Sequence, residues 1–137
     1  LQIGHGTLGC LVDESKKELP KKLNDGISLK RKIDVPKFIS DLNQNEDLQA
    51  NHELMGCISI ISGMMQSDGI TVFSNAGEIL GYNVFIKHPE KILKSKTTGG
   101  ARSRTFHALC DMIGRGIEGA YIQSQDGLIE IKGRNNE

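Results

Sequence analysis

Arg102 and Arg104 stand one residue apart at the start of an apolar helical pattern. The stretch reads Thr97-Thr98-Gly99-Gly100-Ala101-Arg102-Ser103-Arg104-Thr105, and Phe106, Leu109, Met112 and Ile113 then recur at helical spacing. Arg102, Ser103, Arg104 and Thr105 fall in a first turn, where backbone N–H groups have no intrahelical partner. Free donors and the helix dipole both favour an anion there. Guanidinium groups add paired donors shaped for phosphate. The stretch therefore reads as a phosphate cradle. Its plainer alternative is a solvated, arginine-rich helix start, although cations at that end oppose the dipole. Asp68-Gly69-Ile70 is the other candidate. An aspartate beside a phosphate site can share a divalent ion with the phosphate oxygens. Asp-Gly is also an ordinary turn pair.

The elements that would position these residues follow from periodicity. Leu8–Val12 is an apolar run that reads as a buried strand, led in by Gly4-His5-Gly6. Asn24-Asp25-Gly26 marks a turn, and Ile27, Leu29, Ile33 and Val35 alternate mainly with Lys and Arg in an extended, one-sided segment. Val35-Pro36 opens a helix whose apolar face is Phe38, Ile39 and Leu42. Asn43–Asp47 is a polar connection to a longer helix from about Leu48, with Leu54, Met55, Ile58, Ile61, Met64 and Met65 in register. Ile70–Phe73 and Glu78–Ile86 are strands joined by a turn at Ser74–Gly77. Lys87–Gly100 is a basic loop able to cover a site. After the arginine helix, Ala120–Ser124 and Leu128–Lys132 form a final hairpin, and Gly133–Glu137 is a polar tail. This count of about five strands and three helices predicts an α/β (α+β) domain with a mixed sheet flanked by helices.

The chain has 137 residues, enough for a single domain with one core. Its 17 basic and 17 acidic residues cancel, which argues against a nucleic-acid polymer as partner. No apolar run reaches the ~20 residues of a membrane helix. Cys10, Cys57 and Cys110 lack metal-site spacing, so they read as reduced thiols in a cytoplasmic setting, and structural zinc is not expected. The first residue is Leu1, so the chain is expected to be a piece of a longer protein.

The order of the short motifs resembles the diadenylate cyclase domain family, whose members join two ATP molecules into cyclic di-AMP. Asp68-Gly69-Ile70 stands where that family has Asp-Gly-Ala. Gly100-Ala101-Arg102-Ser103-Arg104 stands where it has Gly-Thr-Arg-His-Arg, and Ser124-Gln125 resembles its Ser-Glu turn. The resemblance spans roughly His5 to Lys132. It implies a twisted mixed sheet with helices on both sides and a nucleotide between the Asp-Gly turn and the arginine helix. It further implies that Asp68 holds Mg²⁺ or Mn²⁺, that Arg102 and Arg104 clamp phosphates, that Ser124 adds a contact, and that Gly81 and Tyr82 lie near the base. Because the family brings one ATP per subunit together across a dimer, a homo-oligomer is among the expectations. Two groups depart from the family: its threonine is Ala101 and its histidine is Ser103. Ala-Arg-Ser-Arg-Thr-Phe resembles divergent cyclase-like sensor domains associated with nucleotide signalling and anti-phage defence. The expectation is a sensor for ATP or a cyclic nucleotide, fused to an effector or regulatory domain and without cyclase activity. The alternative is an active divergent cyclase with Asp68 as its catalytic metal ligand.

Overall fold

The computed structural model describes residues 5–13, 15, 19–23, 25–44, 48–94 and 98–134. Gly4, Asn24, positions 45–47 of the expected connection, 95–97 of the expected loop and 135–137 of the tail lie outside the described residues. The elements are β1 (Thr7–Val12), β2 (Asp25–Asp34), α1 (Val35–Gln44), α2 (Leu48–Met65), β3 (Ile70–Ser74), β4 (Glu78–Phe85), α3 (Ala101–Asp111), β5 (Gly119–Gln123) and β6 (Ile129–Gly133). The strands form a six-stranded sheet in the order β2-β4-β3-β1-β5-β6. β1 and β3 run parallel, and every other pairing is antiparallel. The lysine- and arginine-interleaved segment is thus an edge strand paired to β4, which raises the expected count of strands to six.

Alternation along the central strands sorts side chains onto two faces. Leu8, Cys10 and Val12 of β1 and Ile70 and Val72 of β3 are buried with Phe106, Ala108, Leu109 and Met112 at the α3 end. The opposite face carries Thr7, Gly9, Thr71 and Phe73 and meets α2. The buried Thr7 hydroxyl donates to the Met65 carbonyl at 2.6 Å, and the Thr71 hydroxyl donates to the Met64 carbonyl at 3.5 Å. Both carbonyls belong to the last turn of α2, where intrahelical donors run out, and the Met64 carbonyl also accepts the Ser67 N–H at 3.2 Å, so two strand threonines dock the helix where it stops. The expected apolar face of α2 is only half-buried at Leu54, Ile58, Ile61, Met64 and Met65, and Met55 is exposed. At the start of α1, Asp34 Oδ1 accepts the Lys37 N–H at 2.9 Å, an N-cap placed just ahead of Pro36. Phe38 and Leu42 of α1 are half-buried, whereas Ile39 is exposed.

Cys10 is enclosed by the core, and burial pushes its thiol up from the ordinary 9.0 to about 12. Burial also raises Cys57 and Cys110, which are less enclosed. A thiol whose pKa is raised by folding stabilises the fold fully below its unfolded value. That contribution is lost as pH climbs from 9.0 toward about 12, because the unfolded thiol ionises first. The urea midpoint is therefore expected to fall more steeply in this window for the native chain than for Cys10→Ala. Parallel pH profiles of the two proteins check this.

Candidate functional site: the Asp68–Arg102 cleft

The strand directions gather the candidate residues at one end of the sheet. The parallel strands β1 and β3 both begin there, and their antiparallel neighbours β5 and β4 both end there. α3 starts over the same edge. A cleft of about 210 Å³ opens between them, lined by Leu8, Asp68, Gly69, Ile70, Val84, Phe85, Ile86, Pro89, Ala101, Arg102 and Thr105. Arg102 Nη2 lies 3.2 Å from Asp68 Oδ1, so two motifs 34 residues apart do converge. The Asp68 side chain is 89% exposed, whereas that of Arg102 is 34% exposed. The arginine is thus part of the wall, and the aspartate stands at the mouth. Gly6 makes room for this arrangement: a Cβ there would lie 3.1 Å from Arg102 Nη1 and 3.0 Å from the Gln123 carbonyl.

α3 begins without a side-chain cap. Gly100 occupies the N-cap position in extended conformation, and the first turn holds no acidic residue. The Gly100 carbonyl accepts the Arg104 N–H at 3.1 Å, and among the described residues no side chain caps the first N–H groups of the helix. The first turn does not aim both arginines at one point, because residues i and i+2 of a helix do not share a face. Arg104 lines a second cleft of about 250 Å³ with Pro89, Glu90, Leu93, Ala101 and Thr105. Pro89, Ala101 and Thr105 border both clefts, so the two adjoin. Arg102 and Arg104, expected to clamp phosphates together, thus border two neighbouring hollows and not one shared pocket.

The turn carrying Asp68 is held by a residue that the sequence reading passed over. Asn83 Oδ1 accepts the Gly69 N–H at 3.1 Å. Asn83 has φ of 51° and sits where the register between β3 and β4 slips between Ile70/Val84 and Val72/Gly81. An asparagine within a strand pattern was the available signal, since its short amide tolerates the left-handed region better than most side chains. Bulges commonly re-aim a strand beside a site. Asn83→Gly is expected to lose the hydrogen bond without added strain, together with the entropic cost that glycine carries in the unfolded chain. Asn83→Ala is expected to lose the bond and add strain of about 1–2 kcal/mol. Urea unfolding of the two variants separates these effects.

Other expected residues lie elsewhere. Gly81 and Tyr82 sit within β4, paired to Ser28 and Ile27 of β2, and line neither cleft. The bulge explains this correction: the cleft wall is built by Val84, Phe85 and Ile86 beyond it. Ser103 lies against Gly99, with its Oγ 3.0 Å from where a Gly99 Cβ would stand. Ser124 Oγ accepts the Leu128 N–H at 3.2 Å and closes the β5–β6 turn instead of lining a cleft. Thr105 borders both clefts, although its hydroxyl donates to the Ala101 carbonyl at 3.0 Å. His107 is half-buried with its ring 5.8 Å from that of Phe106, and it lines neither cleft. The first part of the expected covering loop packs onto the domain and lines the clefts at Pro89, Glu90 and Leu93. Pro89–Lys91 is a single 3-10 turn, Ile92 is buried in the core, and the Lys94 N–H donates to Asp111 Oδ2 at 2.9 Å.

Among the described residues no three His, Cys, Asp or Glu side chains group as a metal site. Asp68 is the one carboxylate among the described residues lining the Asp68–Arg102 cleft, and a divalent ion there would need water and phosphate oxygens to complete its shell. Mg²⁺ commonly accepts such a shell. No known protein-family model and no curated protein matches the chain.

Proposed function

We propose that this domain is a nucleotide receptor with a diadenylate cyclase-like fold, and that it reads ATP or a cyclic nucleotide through a phosphate held at Arg102. The carrying observation is the partly buried Arg102 guanidinium beside the uncapped start of α3, facing a cleft with a largely exposed aspartate at its mouth. Each cleft alone is small for a nucleotide, but together they come within the ~300–1,000 Å³ usual for ligand sites. A phosphate would seat on the α3 N–H donors and Arg102. Arg104 would meet a second anionic group in the adjoining hollow. An Mg²⁺ or Mn²⁺ ion arriving with the nucleotide would supply charge neutralisation between phosphate and Asp68.

Binding without synthesis is favoured by Ala101 and Ser103. The first offers only a methyl group to the cleft, and the second lies outside its lining. Phosphate binding needs electrostatics, whereas synthesis also needs an activated 3′-hydroxyl. A cytoplasmic receptor coupled to an effector or regulatory domain, as in anti-phage signalling, is the setting that agrees with this reading.

Isothermal titration with ATP and a panel of cyclic nucleotides, with and without Mn²⁺, tests the proposal. Saturable binding that weakens in Arg102→Ala supports it, and absence of heat with every nucleotide overturns it. Incubation with ATP and Mn²⁺ followed by mass spectrometry tests for synthesis. Cyclic di-AMP that disappears in Asp68→Asn would replace the receptor by an active cyclase.

A further inference from the structure

The two edges of the sheet are built differently. At one edge, β2 carries the like charges Lys30, Arg31 and Lys32, and its register on β4 breaks between Ser28 and Ile33. Bulges and like charges are common ways of blocking further strand addition. β6, at the other edge, pairs residue for residue with β5 from Gly119/Gly133 to Gln123/Ile129. It has no break or proline, and its side chains are exposed, with Ile129 at 59% and Ile131 at 71%. The Ser124 N–H donates to the Leu128 carbonyl and the Arg134 N–H to the Glu118 carbonyl. Alternation from those bonds turns the backbone of Glu130 and Lys132 toward β5. It turns the N–H and C=O groups of Ile129, Ile131 and Gly133 outward.

We infer that β6 is the interface for a second copy of this chain, paired antiparallel about a twofold axis at Ile131. That register sets Ile131 against Ile131 of the other copy and Ile129 against Gly133, so every outward-facing backbone group of the strand is used. It also sets Glu130 opposite Lys132 on both sides of the axis. Opposite charges in directly facing positions stabilise a strand pair, and like charges oppose it. Sliding the pairing by two residues, which moves the axis to Glu130 or to Lys132, sets like charges face to face. The strand is therefore self-complementary in one register, as a twofold interface requires. On the α2 face, Ile131 lines an apolar groove of about 320 Å³ with Leu11, Phe73 and Tyr121. The same pairing joins the two grooves across the axis and covers Ile131.

Sedimentation equilibrium of the 137-residue chain over a concentration series tests this. The expected species has twice the 15.0 kDa chain mass. Ile131→Pro removes an outward N–H without touching the β5 pairing, so a folded monomer is expected, with a melting midpoint that no longer rises with protein concentration as that of the native dimer does. Lys132→Glu places two carboxylates face to face and is expected to give a monomer. Adding Glu130→Lys to that variant restores facing opposite charges and is expected to restore the dimer. A native chain that stays monomeric throughout overturns the inference. So does a dimer that Ile131→Pro and Lys132→Glu both leave intact.

Discussion

Arg102→Ala is expected to weaken nucleotide binding by roughly ten- to a hundredfold, the loss of a charge-assisted hydrogen-bonded contact. The unfolding midpoint should hardly move. The contact that Arg102 makes in the free protein is to an aspartate whose side chain is 89% exposed, and pairs so open to water contribute about 0–1 kcal/mol. A large change in affinity with a small change in stability separates a ligand contact from a structural one. Arg102→Lys should recover part of the loss, because an ammonium keeps the charge but not the planar pair of donors. Arg104→Ala should cost less for a small phosphate ligand than for a dinucleotide, since Arg104 borders the adjoining cleft. Titrations with inorganic phosphate, ATP and a cyclic dinucleotide check the order. Equal losses for Arg102→Ala and Arg104→Ala with every ligand would contradict the two-cleft arrangement.

Much of the fold was legible because its elements repeat a simple period. The β1 run, the β3–β4 and β5–β6 hairpins and the three helices lie within a few residues of where alternation and helical spacing put them. β2 was legible only as an extended segment, since it buries little and is defined by its pairing with β4. The exposure of Met55 and Ile60 on α2 was hidden for a related reason: a helical pattern gives a face but not what covers it. At the site, residue type indicated Asp68 and Arg102 separately. Their meeting depends on the parallel placement of β1 beside β3 and on the seat of α3, neither of which spacing reveals. The divergence of Arg104 from Arg102 follows from helix geometry and was accessible from sequence. Asn83 was hidden because a bulge is a property of two strands together.

Gly69→Ala is expected to be the most damaging substitution at the site. A Cβ at that position would lie 2.5 Å from the Asn83 carbonyl carbon, 2.7 Å from its Cα and 2.7 Å from the Val84 nitrogen. All are backbone atoms of the neighbouring strand, so no side-chain rotation relieves the contact. Overpacking against a core typically costs about 1–3 kcal/mol. Here the displacement would also pull the Gly69 N–H from Asn83 Oδ1, leaving a buried donor at a further cost of about 1–3 kcal/mol. A drop in the urea midpoint well beyond that of Asn83→Gly is therefore expected. Any molecules that remain folded should bind nucleotide less well, because Asp68 and Ile70 flank the displaced residue in the cleft wall. This pairs the substitution with Arg102→Ala in a diagnostic way: Arg102→Ala removes binding from an intact fold, whereas Gly69→Ala lowers stability and binding together. A Gly69→Ala protein with native stability would mean that β4 can retreat from the Asp68 turn. The bulge at Asn83 could not then be the element that fixes the mouth of the cleft.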